Sequence, residues 1–86
     1  MKFKIDDIIV RERFPDFGMP IGYITKVEGV ISGGLNILVH VEHKQNSRRN
    51  PDYFRLATSE EAHAYKNLGI TNIHDIPKET LIFNIL

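Results

Sequence analysis

Leu35-Asn36-Ile37-Leu38-Val39-His40-Val41-Glu42-His43 is the stretch that decides the fold. Leu35, Ile37, Val39 and Val41 alternate with Asn36, Leu38, His40 and Glu42. Apolar, β-branched residues at period two specify a strand with one buried face. Just upstream, Gly22 to Glu28 repeats the period, with Tyr23, Thr25 and Val27 on one face and Ile24 and Lys26 opposite. Gly29 and Ser32-Gly33-Gly34 between the two runs offer positive-φ positions for a bulge or turn. The two runs are therefore expected to form an antiparallel hairpin.

Further towards the N-terminus, Ile8-Ile9-Val10 begins another strand, with Ile8, Val10 and Phe14 on one face and Ile9, Arg11 and Arg13 on the other. Asp6-Asp7 suits the turn before it, because short carboxylates bond nearby backbone amides. Pro15 to Pro20 reads as a loop, and its Phe17 and Met19 are more apolar than a solvated connector requires.

Towards the C-terminus, Lys44 to Pro51 reads as a polar loop, basic by three charges, and Tyr53 to Leu56 as a short fourth strand. A helix over 59–68 follows from Thr58 as N-cap and Glu61 three residues on to close a capping box. Glu60 and Glu61 suit the positive end of its dipole, Lys66 the negative end, and Gly69 the stop. Ala62, Tyr65, Leu68 and Ile70 would form a narrow apolar stripe, and Ile73, Ile76 and Pro77 a connector. Leu81-Ile82-Phe83-Asn84-Ile85-Leu86 reads as a terminal strand that must pair within the sheet or with another subunit. This order describes a mainly β fold, a small and strongly bent barrel of about five strands with one late helix.

The chain has 86 residues, enough for one domain, and no linker or repeat divides it. Eleven basic residues balance eleven acidic ones, which excludes a strongly basic nucleic-acid coating protein and an acidic DNA mimic. The absence of cysteine excludes disulfides, thiolate zinc sites and cysteine nucleophiles. No apolar run approaches the roughly 20 residues of a membrane span, and the first residues lack a signal-peptide apolar stretch. A cytoplasmic protein is the expectation.

Three segments carry a resemblance. Phe3-Lys4-Ile5-Asp6-Asp7-Ile8-Ile9-Val10 resembles the F-K-x-G-D-x-V opening of small SH3-like barrels, with Asp6 where that pattern has Gly. Gly22-Tyr23-Ile24-Thr25-Lys26-Val27 is similar to the second strand of KOW and Tudor-like barrels. Tyr53-Phe54-Arg55-Leu56-Ala57-Thr58-Ser59-Glu60-Glu61 resembles the F-R-x-A-T-x-E-E segment of small bacteriophage proteins of unknown function. The resemblance covers residues 3 to 68 and implies one SH3-like domain, with barrel strands over about 3–56 and the helix over about 59–68. It further implies a phage-encoded accessory protein, working in the host cytoplasm by engaging a host protein to modulate a host process or defence.

Reactive constellations are sparse. The glycines lack phosphate-loop spacing, and Ser32, Ser47 and Ser59 lack a nucleophile elbow. His40, His43, His63 and His74 lie on different elements, so a metal site would need long-range convergence. Glu60 and Glu61 read as capping charges rather than an acid–base pair. So small a barrel is not expected to enclose a pocket of several hundred Å³. The reading is therefore a non-enzymatic binding module without a cofactor or bound metal.

The candidate partner surface is Lys44, Arg48, Arg49, Tyr53 and Arg55, with His40 and His43 beside it, because cations next to an aromatic ring suit phosphates, bases and carboxylates. Arg48 and Arg49, placed in the loop, are expected to bind without supporting the fold. A protein partner and a KOW-like hold on nucleic acid both remain open. So does a homo-oligomer formed through Ile24, Leu38 and the terminal strand, which together exceed what one small barrel covers.

Overall fold

The computed structural model describes residues 2–16, 18–41 and 44–77, of which 44–46 by their backbone alone. The terminal strand expected over 81–86, Phe17, Glu42, His43 and the side chain of Lys44 lie outside the described residues.

The decisive strand is β3, Asn36–Val41, and it buries Ile37, Val39 and Val41 as its alternation requires. Leu35 does not join them: it ends the one-turn 3-10 helix Ser32–Gly34 and is 74% exposed. The turn takes it because Ser32, Gly33 and Gly34 all adopt positive φ and the Leu35 amide donates back to the Ser32 carbonyl at 3.2 Å. The preceding strand, β2, runs Ile24–Ile31 and pairs antiparallel with β3, Val27 opposite Val39. Their register shifts by a bulge between Val27 and Gly29. A Cβ on Gly29 would stand 3.1 Å from Leu38 Cδ1, so the close crossing favours glycine.

Lys44–Arg49 is a strand, β4, and not the polar loop its composition indicated. It pairs antiparallel with β3, Ile37 opposite Arg49 and Val39 opposite Ser47. Polar and basic residues belong on such an edge strand, where they discourage pairing with other chains. The apolar half of the pair is supplied entirely by β3.

The first strand, β1 (Ile8–Arg11), lies inside the sheet, between β2 and the short β5 (Phe54–Leu56). All pairings are antiparallel and the order is β4-β3-β2-β1-β5. The fold is thus mainly β, and among the described residues five strands and one helix form it, with the sheet not closed into a barrel. After three residues β5 turns into the helix cap, so among the described residues it pairs only with β1.

Every residue of β1 is buried because both faces of the sheet are covered there. On one face Phe3, Ile9, Met19, Tyr23, Val27, Ile37, Val39, Val41 and Phe54 form the larger core. Met19 is fully buried in it, so the apolar content of the 15–20 loop is partly core. On the other face Ile8, Val10 and Ile24 receive Ala57, Ala62, Tyr65, Ile70, Ile73 and Ile76. Ile24 is therefore covered by this chain itself, and Leu38 is half-buried. Burying one such side chain contributes roughly 1.5–3 kcal/mol.

The helix of that second layer, α1, spans Ser59–Leu68 with Thr58 and Glu61 completing the capping box and Gly69 ending it at φ 69°. Leu68 is exposed and does not extend the apolar stripe. Beyond α1 the chain returns to β2: Ile24 N–H donates to the Thr71 carbonyl at 2.9 Å, and Tyr23 bridges to Asn72. No helix among the described residues is long and apolar enough to cross a membrane.

Candidate functional site

β1 ends on a charge in the core. Arg11 shares the face of Ile9, and only 2% of its surface is exposed. A guanidinium so placed must find acceptors for its donors within the protein. Its Nε donates to the Arg13 carbonyl at 2.8 Å, and its Nη2 donates to the Phe14 carbonyl. Nη1 lies 3.4 Å from Asp16 Oδ2 and 3.3 Å from Met19 Sδ. The Tyr53 and Phe54 rings each lie 5.2 Å from its central carbon, within cation–π range. Burial pulls its pKa below the usual arginine value and neighbouring Arg49 adds to this, while Asp16 opposes them. The loop after β1 is thus wrapped around a fixed cation.

That wrapping displays an aromatic ring. Phe14 sits at φ 53°, a left-handed conformation that side chains other than glycine rarely adopt, and is 63% exposed. Its ring meets Tyr53 at 4.9 Å between centroids, tilted by 54°. Tyr53 comes from the 3-10 turn Pro51–Tyr53 that links β4 to β5. The Asn50 side chain caps this turn by accepting from Asp52 N–H at 2.9 Å. Both rings therefore rest on ordered backbone.

Asp16 and Arg49 border the pair. Arg49 Nε stands 3.0 Å from Asp16 Oδ2, an ion-pair distance but not aligned as a hydrogen bond, and Nη2 is 3.4 Å from Oδ1. Nη1 donates to Ser47 Oγ at 2.7 Å. With its side chain 19% exposed, Arg49 braces the loop against β4.

The five residues selected from the sequence are divided by this architecture. Arg49 pairs in register with Ile37 and Arg48 with Leu38, so alternation sends the two arginines to opposite faces of the sheet. Arg48 is exposed, and the Lys44 backbone pairs with Val41. Arg55 is engaged by the helix: its Nη1 and Nη2 each donate to a Glu61 carboxylate oxygen at 2.8 Å. That hydrogen-bonded pair, with the Thr58 amide, lowers the Glu61 carboxyl from 4.5 to about 2. Of the four whose side chains are described, Tyr53 and Arg49 join the aromatic site. Phe14, Arg11 and Asp16 were missed, although the shared parity of Arg11 and Ile9 was a usable signal.

Among the described residues no three His, Asp or Glu side chains gather to hold a metal. Comparison with protein-family models, curated proteins and solved structures gives no match to the chain.

Proposed function

We propose that this chain is a small non-enzymatic binding module that takes a protein partner on the Phe14–Tyr53 surface. The observation that supports the reading is the pairing of cost and exposure at Phe14. A buried arginine and a strained backbone position hold in place a ring that is left largely in water. Neither feature adds apolar burial to the fold. Rigid, exposed aromatic residues are the anchors around which protein interfaces concentrate their affinity.

The sequence resemblance to phage-encoded SH3-like proteins adds the rest of the proposal. The partner is a host protein met in the host cytoplasm, and binding modulates a host process or defence. The KOW-like alternative has one observation in its favour, since bases stack on exposed aromatic rings beside cations. Against it stand the neutral net charge and the two carboxylates, Asp16 and Asp52, flanking the rings.

The test is capture of a host protein by immobilised wild-type chain and by Phe14→Gly, at low and high salt. A captured host protein lost with Phe14→Gly supports the module. Capture of nucleic acid that falls steeply with salt would move the reading to the alternative.

A further inference from the structure

The sheet edge beside β1 is unfinished. β5 holds three residues, Phe54–Leu56, and among the described residues it pairs with β1 alone. Ala57 N–H donates to the Ile8 carbonyl at 2.9 Å, so by alternation the Leu56 N–H points away from β1. Leu56 lies opposite Ile9 and so continues the face of the larger core, yet it is 56% exposed. On the other face of this edge, Thr58, Glu60, Glu61, Ile73 and Ile76 line an open groove of about 350 Å³. The sequence suggested no concavity of this size. It forms between the first turn of α1 and the returning turn Ile73–Asp75, both laid on the second core, and not inside a barrel. Apolar surface thus stands open on both faces of one edge.

The sequence holds an occupant for such an edge. Leu81-Ile82-Phe83-Asn84-Ile85-Leu86 is apolar at both parities, with Leu81, Phe83 and Ile85 on one and Ile82 and Leu86 on the other. A strand with one solvated face alternates, whereas a strand covered on both faces reads as a near-continuous apolar run. β1, with Ile8-Ile9-Val10 buried throughout, is this fold's own example. The run also starts close to the groove. Ile76 lines it, Pro77 follows, and Lys78-Glu79-Thr80 separate Pro77 from Leu81. That linker carries the chain at most about 14 Å. The opposite edge, β4, lies four strand spacings from β5, about 19 Å across the sheet, and is polar. Reach and polarity both select β5.

We propose that residues 81–86 dock on the free side of β5 of the same chain as a further strand, with one face of the run on Leu56 and the other over Ile73 and Ile76. The linker then carries Lys78 past Glu60, whose exposed carboxylate borders the groove. The docked strand removes from water both the open apolar edge and an apolar run that would otherwise invite pairing between chains. The polar β4 remains as the exposed edge. This inference rests on the β5 edge and not on the Phe14 surface.

The test begins with NMR of the unaltered full chain. Cross-strand nuclear Overhauser contacts should join Phe54–Leu56 to residues 81–86, and mixing labelled with unlabelled chain should show that they arise within one chain. The chain has no cysteine, so a disulfide can be introduced without competing thiols. Leu56→Cys should be combined in turn with Leu81→Cys, Ile82→Cys, Phe83→Cys, Asn84→Cys, Ile85→Cys and Leu86→Cys. At least one pair should close within the monomer on mild oxidation, because opposed residues of paired strands bring their Cβ atoms within about 5 Å. Arg48→Cys on β4, with the same six partners, should not close. Ile82→Asp with Phe83→Asp should speed exchange of the Leu56 amide by about tenfold or more relative to that of Val39. If this double variant does not fold, the contacts in the unaltered chain decide. The proposal is overturned if no contact joins the run to β5, or if contacts arise between chains and not within one. It is equally overturned if Arg48→Cys closes as readily as Leu56→Cys, or if the folded double variant leaves Leu56 exchange unchanged.

Discussion

Arg55 and Glu61 face one another across the junction of β5 and α1, joined by two parallel contacts of 2.8 Å. Glu61 also accepts from the Thr58 amide at 2.8 Å, so a single carboxylate closes the helix cap and ties the helix to the sheet. A bidentate, charge-assisted pair in this position is stronger than an ordinary surface ion pair.

The acid stability of the fold should report this pair. The Glu61 carboxyl is lowered in the folded chain from 4.5 to about 2, first by its hydrogen bonds to Arg55. A depressed carboxyl pKa adds stability that is complete above the unfolded value and is lost as pH falls through the folded one. The window is therefore from about 4.5 down to about 2. With solvent screening around the part-exposed Arg55, the pair should contribute about 1–2 kcal/mol there. Denaturant midpoints measured across that window should fall for wild type and be flatter for Glu61→Gln. Equal slopes for both would remove Glu61 from the account.

The cap itself is a second, separable term. Thr58 Oγ accepts from the Glu61 amide at 3.2 Å. Thr58→Ala should cost about 1 kcal/mol, or roughly 4–8 °C in melting temperature for a domain of this size. A melting curve that does not move would mean the hydroxyl does not cap the helix in solution.

At the other end of the site the loop depends on Arg11. Arg11→Lys should destabilise the chain by about 2 kcal/mol, because an ammonium is a point charge and lacks the fork that serves two carbonyls. The measurement is urea unfolding, with amide exchange at Arg13, Phe14 and Asp16 as the local readout. Faster exchange confined to that loop would show that Arg11 orders it, whereas unchanged exchange and stability would show that it does not.

Arg48 and Arg49 should now behave differently from each other. Arg49→Glu would set a carboxylate against Asp16 and should cost about 1–2 kcal/mol. Arg48→Glu, on the opposite face and exposed, should stay within about 0.5 kcal/mol of wild type. Thermal melts of the two single variants decide between this arrangement and a flexible loop, in which both would be silent.

What the sequence revealed and concealed follows one physical division. β3 was legible because alternating apolar residues encode their own burial, and α1 because Thr58, Glu61 and Gly69 are local signals that act within a few residues. β4 was not, because an edge strand has polar residues on both faces and takes its conformation from the apolar strand beside it. Arg55 looked available for a partner, since its engagement with Glu61 depends on how β5 enters the helix. Arg11 was placed on the face of Ile9 by alternation, but which face of β1 would be buried was not legible there, because both are covered. The Phe14 surface unites residues 11, 14, 16, 49 and 53, whose meeting depends on strand order.

The proposed binding role of that surface can be separated from stability at Phe14 itself. Two opposing effects act when its side chain is removed. The contact with Tyr53 is worth roughly 0.5–1.5 kcal/mol, and that is lost with either alanine or glycine. Glycine, however, adopts the φ of 53° found at Phe14 without steric cost, and so recovers about 1 kcal/mol that alanine does not. Phe14→Gly should therefore melt near wild type and above Phe14→Ala, an inversion of the usual ranking of these residues. If Phe14 is the anchor, both variants should lose partner capture by about tenfold or more, a change near 1.4 kcal/mol. Stability retained with capture lost places the role of Phe14 outside folding. Stability retained with capture also retained would leave the strained, exposed ring without a binding function, and the proposed surface would have to be abandoned.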